Sequence, residues 1–552
     1  MPELGDPPVM RWWGWGDPGH PPALTPRALR FLDEAVGSAS APRPPVAFGR
    51  VRLPAPVISD AVLDQLRRIV GPDAVRDDRA ERILHAGGKG YPDLVRMRAG
   101  EPEGAPDAVV LPADHDQVRR VLELCSRSSL AVVPFGGGTS VVGGVAPLRG
   151  EHGGVLALDM RRMGAVLELD RESATVRVQA GIRAPALERH LGSRGLTLGH
   201  YPQSFEYVSL GGCAATRSAG QASTGYGAIE KMVVGLRFAA PASELELPAV
   251  PATAAGPGLR QLLVGSEGAL GVISELSLRA RPAPLERVYE GVFFTDFSEG
   301  IHALRVLVRE HAKPDVARLS DEPETRMSLA LAERGGAKGL LGRLYLGVRG
   351  YRAGCFAILG FEGSHEEVAA RRGRALELVS RCGGLPVGRS PGEAWLRSRF
   401  AAPYLRDELL THAVLVETLE TATQWSNLRR LHGAVGRAIG QALEACGTPG
   451  LVMCHVSHLY ETGASLYFTF MARQRAGDEI DQWRSVKEAA SGAIVAGGGT
   501  ITHHHAIGRD HAPWMIDEVG AGGLAALRAV KDELDPAGIM NPGKLLLLSR
   551  RG

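Results

Sequence analysis

Three clusters of small residues, each next to a short apolar run, constrain the fold of this chain more than any other feature. The first, PFGGGTSVVGG at 134–144, directly follows the apolar run 130–133. Consecutive glycines after a strand let the backbone turn tightly and present several N–H groups to an anion, and Thr139 and Ser140 add hydroxyl groups. The spacing matches neither G-x-G-x-x-G nor G-x-x-x-x-G-K-[ST], so a phosphate or pyrophosphate site here is not of the Rossmann or Walker type. An ordinary glycine-rich turn is the alternative for this loop alone.

The second and third clusters have the same character. The second runs from 201 to 235 and begins YPQSFEYVSLGGCAATR, and the third is VGSEGALGVISE at 264–275. Small residues at this density allow a backbone to lie close against a flat ring with few side chains between them. Loop-rich connectivity explains one such cluster more easily than three in one domain.

Composition places the chain among ordinary globular proteins. Its 552 residues allow two to four domains, and 63 basic against 61 acidic residues give a net charge of +2. The basic residues form no block, so nucleic acid is not an expected partner. The six cysteines form no C-x-x-C pair, which favours a reducing compartment.

Targeting signals are the next question. The N-terminus lacks a basic region followed by an apolar core, and no stretch reaches the roughly 18 apolar residues that span a bilayer. The chain finishes LLLLSRRG rather than S-K-L, so no peroxisomal address is expected. Because arginine greatly outnumbers lysine, we expect a bacterial, cytoplasmic protein that is at most peripheral on a membrane.

The texture of the sequence divides the chain into four segments and predicts an α+β fold class. The first holds an arm and a helix at 59–70, the second alternates short β-branched runs with glycine turns, and the third is dominated by helical patterns. The fourth is too short to fold alone and is expected to pack back on the second segment. Their bounds are 1–103, 104–283, 284–490 and 491–552. Strand candidates in the third segment are 288–294, 343–348, 413–418 and 465–470.

The glycine clusters carry a family resemblance. PFGGGTS, SLGGCAATRSAG, GYG and GSEGALGVI, in this order and spacing, resemble the flavin-binding domain of the vanillyl-alcohol oxidase and p-cresol methylhydroxylase superfamily. The resemblance covers 104–283 and implies a p-cresol methylhydroxylase-type domain that binds FAD non-covalently, joined to an α/β cap (substrate) domain. It implies that the first loop cradles the pyrophosphate, the second lines the isoalloxazine and the third helps to hold the adenine end. The implied cofactor-binding residues are Pro134, Gly136, Gly137, Gly138, Thr139, Ser140, Pro202, Ser209, Gly211, Gly212, Thr216, Ser218, Glu267, Gly268, Gly271, Ile273 and Arg318.

The C-terminal half narrows the resemblance. WLRSRFAAPYLRD at 395–407, VETLET ending at 421, SHLYETGASLYFTF at 457–470 and HHH at 503–505, with RWWGWG at 11–16, resemble the alkyldihydroxyacetonephosphate synthase family. That resemblance implies exchange of the acyl chain of acyl-dihydroxyacetone phosphate for a long-chain fatty alcohol through a covalent flavin N5 adduct, with no net redox change. Two lipid substrates imply an apolar tunnel and a membrane surface, and a homodimer is compatible with the resemblance.

The resemblance also implies catalytic residues. Tyr467 takes the acid/base role, but an unassisted phenol has a pKa near 10 and needs a neighbouring cation or imidazole. His503, His504 and His505 are expected to move protons beside the flavin. If 500–505 is extended, the middle histidine faces away from the other two, so we expect no metal centre.

Substrate anchors complete the expected site. Arg406 can grip phosphate or carboxylate oxygens with two parallel bonds, although a surface ion pair with Asp407 or Glu408 is the alternative. The resemblance places Thr418 near it. Ser465 stands where animal members of the family have a cysteine, and it is expected to contact substrate.

Two other functions compete with this prediction. A flavin-dependent 2-hydroxyacid dehydrogenase of the D-lactate or glycolate type shares the first domain and much of the second. A non-catalytic flavin- or lipid-binding protein at a membrane face is the alternative from another class. The joint presence of RWWGWG, PYLRD, SHLYETGASLYF and HHH favours the synthase resemblance over both.

Overall fold

The computed structural model describes residues 10–16, 24, 26–37, 42–332, 351 and 354–547. The strand candidate at 343–348 lies outside these residues. The helices are α1 Pro26–Val36, α2 Asp60–Val70, α3 Arg79–Leu84, α4 Tyr91–Ala99, α5 His115–Arg127, α6 Ala184–Gly192, α7 Leu210–Ala215, α8 Ser223–Tyr226, α9 Ile229–Met232, α10 Leu259–Leu263, α11 Phe297–Arg309, α12 Glu322–Ala332, α13 His365–Arg381, α14 Ser390–Ser398, α15 Ala402–Thr411, α16 Leu428–Ala445, α17 Glu479–Ala496 and α18 Met515–Leu534. The predicted helix at 59–70 is confirmed as α2, which follows Ser59 at its N-cap position.

The strands alternate with these helices in both halves of the described chain. They are β1 Val75–Arg76, β2 Ala108–Val110, β3 Leu130–Phe135, β4 Gly154–Asp159, β5 Val166–Asp170, β6 Thr175–Gln179, β7 Leu196–Thr197, β8 Val233–Ala239, β9 Glu244–Leu247, β10 Val272–Arg279, β11 Arg281–Pro282, β12 Glu286–Phe294, β13 Val316–Ser320, β14 Cys355–Gly363, β15 Leu385–Gly388, β16 Val414–Gln424, β17 Leu451–Leu459 and β18 Gly463–Arg473.

Two sheets build the FAD-type domain. The first has the order β1-β2-β4-β3, in which β2, β4 and β3 run parallel. The second is antiparallel, with the order β5-β6-β10-β8-β9. The first glycine loop leaves the C-terminal end of β3, and the third loop leads into β10. Each loop is therefore joined directly to a buried strand, the first at the end of β3 and the third at the start of β10. These strands hold the loop backbones in fixed positions.

A seven-stranded antiparallel sheet forms the cap domain, with the order β15-β12-β14-β13-β17-β18-β16. Side chains alternate between its two faces, as they must along any strand. In β18, Leu466, Phe468 and Phe470 are fully buried in the core that includes residues of α16 and α17. Tyr467 and Thr469 lie on the opposite face, which lines a cavity.

Two described segments, 10–16 and 535–547, pack back onto these domains. The backbone of the C-terminal segment bonds to β3, since Val132 N–H donates to the Ile539 carbonyl and Asn541 N–H donates to the Val132 carbonyl, each at 2.8 Å. The RWWGWG turn closes through a hydrogen bond from Arg11 N–H to the Gly16 carbonyl. Within the described ranges, none of the helices has the length and apolarity needed to cross a membrane.

Candidate active site

A cavity of about 560 Å³ opens between the FAD-type domain and the cap sheet. This volume lies within the range of about 300 to 1,000 Å³ that is usual for small-molecule sites. Each of the cofactor-binding residues expected from the sequence lies on its wall, from Pro134 in the first loop to Ile273 after the third, together with Arg318 on β13. The three glycine clusters therefore meet at one site.

The loop side of the cavity is bare backbone, and this side fits a flat, phosphate-bearing cofactor. A Cβ at Gly136 would lie 2.1 Å from Ser209 Oγ, and one at Gly137 would lie 2.3 Å from the Tyr207 carbonyl oxygen. Only glycine lets the first two loops approach this closely. Ser266 Oγ and Gln221 Oε1 are buried in the wall and have no hydrogen-bond partner among the described residues. Unpaired buried polar atoms are costly, so a ligand that pairs with them is favoured there.

The cap side of the cavity is one face of three neighbouring strands. The register sets Glu420 on β16 opposite Tyr467 on β18, and Tyr467 opposite His455 on β17. Four residues further along β18, Met471 stands opposite Val416. The face therefore changes from polar at one end to apolar at the other. The apolar wall residues are Met327, Leu405, Leu409, Val416, Met453 and Met471.

Tyr467 has the imidazole neighbours that its expected role requires. Its ring stacks on His455 with centroids 4.9 Å apart, and the rings of His504 and His505 follow at 6.0 and 5.4 Å. Burial raises the pKa of Tyr467 to about 12, although a hydrogen bond with Thr418 opposes the shift. Tyr467 is therefore protonated at neutral pH and donates a proton first. It can accept one only after an imidazole has taken its own.

The three consecutive histidines form a turn and not a strand. Their side chains therefore do not alternate between two opposite faces, as they would in an extended segment. Adjacent rings lie 5.1 and 4.7 Å apart, centroid to centroid. His504 and His505 lie on the cavity wall, whereas His503 lies behind them and is hydrogen-bonded to Tyr460. Burial lowers the pKa of His503 to about 4 and that of His505 well below its ordinary value, so both are neutral and able to accept protons near pH 7.

The nitrogens of His458, His503 and His504 come within 4.8 Å of one another. All but one of these ring nitrogens already have protein partners. His458 bonds to the Gly220 carbonyl and to Ser457 Oγ, at 3.0 and 2.8 Å. The Nδ1 atoms of His503 and His504 share a bond of 2.9 Å. The three imidazoles therefore form one hydrogen-bonded cluster with their neighbours.

Arg406 is buried and does not form the surface ion pair that was the alternative. Its guanidinium donates to Glu417 Oε1 at 3.2 Å and to the Lys89 carbonyl at 3.3 Å. Its Nε atom is buried and has no hydrogen-bond partner among the residues that the structure describes. The neighbouring Asp407 instead accepts a hydrogen bond from Trp15 N–H at 2.7 Å. Arg406 thus lies on the cavity wall with part of its donor capacity unused.

The side chains of Ser465 and Glu267 face the protein and not the cavity. Thr418 lies on the cavity wall as expected, but Ser465 does not. Its hydroxyl bonds to Ser457 Oγ at 2.9 Å and accepts from His458 N–H at 3.0 Å, so it supports His458 from behind. The side chain of Glu267 likewise faces the protein. It accepts hydrogen bonds from Ile507 N–H and Gly508 N–H, at 2.8 and 2.6 Å.

Several residues of the site were missed by the sequence analysis. Glu420 underlies the histidine turn, His455 stacks on Tyr467, and His200 is buried with its Nε2 atom 3.1 Å from Ser218 Oγ. Trp15, in the RWWGWG motif, forms part of the cavity wall. The motif therefore belongs to the site. No local signal pointed to Glu420, because the predicted strand at 413–418 ended before it, whereas β16 runs to Gln424.

Arg318 sits in a buried ionic cluster on the same wall. It bonds to Glu324 Oε1 at 2.5 Å and to His455 Nε2 at 3.1 Å. Although burial opposes it, the charges of His455 and Arg318 lower the pKa of Glu324 to about 2. Glu324 therefore stays ionised and fixes the orientation of Arg318 and His455 beside Tyr467.

Comparison with known proteins agrees with this geometry. The family model described as "FAD binding domain" matches residues 106–246, and "FAD linked oxidases, C-terminal domain" matches 283–545. The chain is 35% identical over 489 residues to an alkyldihydroxyacetonephosphate synthase of Dictyostelium discoideum, which covers 87% of this chain and 80% of the relative. These matches establish an FAD-binding domain followed by a cap of the FAD-linked oxidase type.

Solved structures extend the comparison to the fold. A structure of alkyldihydroxyacetonephosphate synthase superposes with a TM-score of 0.85 at 30% identity, covering 97% of this chain and 99% of that one. A substrate-bound p-cresol methylhydroxylase superposes with a TM-score of 0.64 at 13% identity, over 90% of this chain and 99% of that one. The second likeness concerns the fold alone. It confirms the predicted α+β architecture of a p-cresol methylhydroxylase-type domain with a cap.

Proposed function

Because the chain belongs to the alkyldihydroxyacetonephosphate synthase family, we propose that it is an FAD-dependent enzyme that makes the ether bond of ether lipids. Acyl-dihydroxyacetone phosphate and a long-chain fatty alcohol would enter, and alkyl-dihydroxyacetone phosphate and a fatty acid would leave. No external electron acceptor is consumed in this exchange. The proposal rests on the family and on the chemistry of the cavity wall.

One observation carries the proposal furthest. A single cavity joins an apolar stretch, which includes Leu409, Val416 and Met453, to a polar end that holds Tyr467 and His504. A long hydrocarbon chain fits the first part, and proton transfer needs the second. A small hydroxyacid has no use for the apolar stretch.

The residues of this chain divide the work as follows. The glycine loops from Pro134 and from Pro202 would hold FAD. When bound, FAD would supply its reactive ring nitrogen N5 to the exchange of the acyl chain for the alcohol. Arg406 would grip the phosphate, because its planar fork has an unpaired nitrogen and only one carboxylate partner.

Proton movements would fall to the cap face and the histidine turn. Tyr467 is protonated near neutral pH and would give its proton to the departing carboxylate. His504 and His505 line the cavity beside it and would accept protons from the substrate carbon and from the alcohol. Burial holds the pKa of His505 well below its ordinary value, so that imidazole is neutral near pH 7.

The test uses purified holoenzyme under anaerobic conditions, with palmitoyl-dihydroxyacetone phosphate and hexadecanol. The expected products are the hexadecyl ether and one equivalent of palmitate, identified by mass spectrometry without any added electron acceptor. Flavin bleaching by D-lactate or glycolate, with no ether formed, would show that the 2-hydroxyacid dehydrogenase is the correct alternative. No turnover with either set of substrates would favour a non-catalytic flavin- or lipid-binding protein.

The lipid substrates also lead us to propose where the enzyme works. We expect it in the cytoplasm, peripherally bound to a membrane surface from which acyl donor and alcohol are drawn. Flotation with anionic and neutral lipid vesicles tests the binding, and light scattering of the eluting protein tests for a homodimer. Protein that stays at the bottom of every gradient would exclude stable membrane binding.

A further inference from the structure

We propose that Glu420 is a positioning residue of the reaction, and that its carboxylate shapes the 502–505 turn so that His504 and His505 face Tyr467. This inference rests on the proposed function and names a residue that acts through the imidazoles and does not touch substrate. Glu420 is 1% exposed and does not lie on the cavity wall.

One carboxylate gathers the donors of the whole turn. Oε1 accepts from Thr502 Oγ1 at 2.7 Å and from His505 N–H at 2.8 Å. Oε2 accepts from His503 N–H at 2.6 Å, and His504 N–H lies 3.0 Å from both oxygens. Successive backbone N–H groups converge on an anion only where the backbone is curved into a nest. Glu420 is therefore the reason that this segment is not extended.

The nest also fixes the imidazoles around the same carboxylate. The Nδ1 atoms of His503, His504 and His505 lie 3.7, 3.3 and 3.8 Å from the nearer oxygen of Glu420. Strand register places Glu420 directly across from Tyr467 on β18. Glu420 thus joins the tyrosine on the sheet to the histidines on the turn.

The charge of Glu420 adds an electrostatic effect to the geometric one. Burial would raise the pKa of Glu420, but the histidines hold it well below its ordinary value, so the carboxylate stays ionised. In return, its negative charge raises the pKa of His503 and His505 against the lowering caused by burial. The other titratable groups that face this cluster are His200, His458 on β17, Tyr467 on β18, Tyr460, His511 and Lys487 on α17. Without Glu420, His503 and His505 would lose the anion that stabilises their protonated forms.

A second carboxylate that binds the 500–505 segment provides a matched control. Glu518 on α18 accepts from Thr500 Oγ1 at 2.7 Å and from Ile501 N–H at 2.9 Å, just before the histidine turn. It holds backbone in the same way, but within the described residues its carboxylate forms no hydrogen bond or ion pair with an imidazole of the turn. Thr500 and Thr502 form a corresponding pair of hydroxyl donors, one to each carboxylate.

The decisive comparison is Glu420→Gln against Glu518→Gln, in purified holoenzymes. We expect Glu420→Gln to lower kcat by about 10- to 100-fold, the usual cost of losing a residue that orients a reacting group. Flavin content and the KM for palmitoyl-dihydroxyacetone phosphate should stay within about threefold of the unaltered enzyme. Glu518→Gln should match the unaltered enzyme. A Glu420→Gln enzyme with kcat within threefold of normal would overturn the proposal.

The pH profile separates positioning from simple structural support. Because the anion favours imidazolium, Glu420→Gln should move the imidazole limb of kcat/KM to lower pH. A loss of kcat with an unmoved limb would mean that Glu420 only supports the fold. If Glu420→Gln does not fold, Thr502→Val is compared with Thr500→Val. We then expect a loss of kcat of about two- to fivefold for the first alone, because one hydrogen bond to the carboxylate is removed.

A measurement without turnover keeps this test separate from the proposed function. Holoenzymes labelled with ¹³C at histidine are titrated by NMR, with and without Glu420→Gln. Histidine signals that titrate at lower pH in the variant support the role of Glu420 even if no ether is formed by the unaltered enzyme. Identical titrations would reject the role, whatever the substrate proves to be.

Discussion

The two walls of the cavity are built on opposite principles. The loop wall consists of glycine backbone, and its shape depends on side chains that are absent, since a Cβ at Gly136 or Gly137 would strike the second loop. The cap wall consists of side chains that alternate along β16, β17 and β18, with Tyr467, His455 and Thr418 in neighbouring rows. The first wall is suited to holding a cofactor of fixed shape. The second is suited to chemistry and to substrate choice.

The largest effect should come from the cap wall, through Tyr467→Phe. Loss of the phenolic proton donor should lower kcat by about 100- to 10,000-fold, the range for removal of a general acid or base. The ring still packs on His455, so the flavin spectrum and the melting temperature should be unchanged. Ether formation and bound flavin are measured on the same sample.

Tyr351→Phe provides the control, because the Tyr351 hydroxyl bonds to the Gly383 carbonyl on an exposed part of the cap. It should behave as the unaltered enzyme. Near-normal turnover in Tyr467→Phe would remove the phenol from the mechanism and would make the two walls less different than the geometry indicates.

The loop wall should fail in a different manner, through Gly137→Ala. The new Cβ would lie 2.3 Å from the Tyr207 carbonyl oxygen and would push the first two loops apart. We expect bound flavin after desalting to fall by at least about tenfold, because a backbone cannot yield as a side chain does. Absorbance near the flavin band, relative to protein, is the measurement.

Gly192→Ala is the matched control, because a Cβ at Gly192 meets nothing within 4 Å. This variant should retain its flavin. If Gly137→Ala also retained flavin and lost only turnover, the first loop would belong to the chemistry and not to cofactor retention.

These two walls also differ in how far the sequence reveals them. The glycine loops could be predicted because their function lies in local backbone, and the order of three loops identifies the domain. Alternation within β18 predicted the face on which Tyr467 lies, and the family resemblance predicted its role. Glu420 could not, because the predicted strand ended at 418 whereas β16 extends from Val414 to Gln424. Its role also depends on a turn some eighty residues away, and local patterns carry no information about such a contact.

His455 shows the same limit from another side. No strand was predicted at 451–459, so its position next to Tyr467 had no basis in the sequence. Ser465 was expected to contact substrate because of its motif, but its hydroxyl supports His458. Motifs thus identify which residues matter more reliably than they identify what those residues touch.

A smaller effect on the cap wall is expected from Arg406→Lys. An ammonium group cannot bond to Glu417 and the Lys89 carbonyl while offering a planar fork to phosphate. We expect the KM for the acyl donor to rise by about 10- to 100-fold, in keeping with loss of one charge-assisted bidentate contact. Initial rates over a range of donor concentrations give the value.

Arg374→Lys is the corresponding control, since Arg374 pairs with Glu310 at the surface. Its KM should be normal. An unchanged KM in Arg406→Lys would show that the buried guanidinium supports the cap sheet and leaves the phosphate to other groups.

The smallest effect sharpens the comparison at one segment that both walls hold. Glu420, on the cap side, binds residues 503–505 and has its pKa held low by the imidazoles, whereas Glu267, on the loop side, binds 507–508. Burial raises the pKa of Glu267 to about 7, because two backbone N–H groups only partly offset the loss of hydration. The surroundings of Glu420 thus stabilise its ionised form, whereas those of Glu267 favour the protonated form.

The sign of the resulting pH dependence follows from linkage. Since the pKa of Glu267 is higher in the folded state than in the unfolded chain, the folded state binds the proton more tightly. Its contribution to stability is fully present below the unfolded pKa of about 4.3 and is lost as pH rises towards about 7. Glu267→Gln cannot ionise, so it should flatten the decrease in melting temperature of the holoenzyme between pH 5 and pH 8 by a few degrees. An equally steep decrease in this variant would mean that Glu267 is already ionised in the fold, and that the two carboxylates hold the segment in the same way.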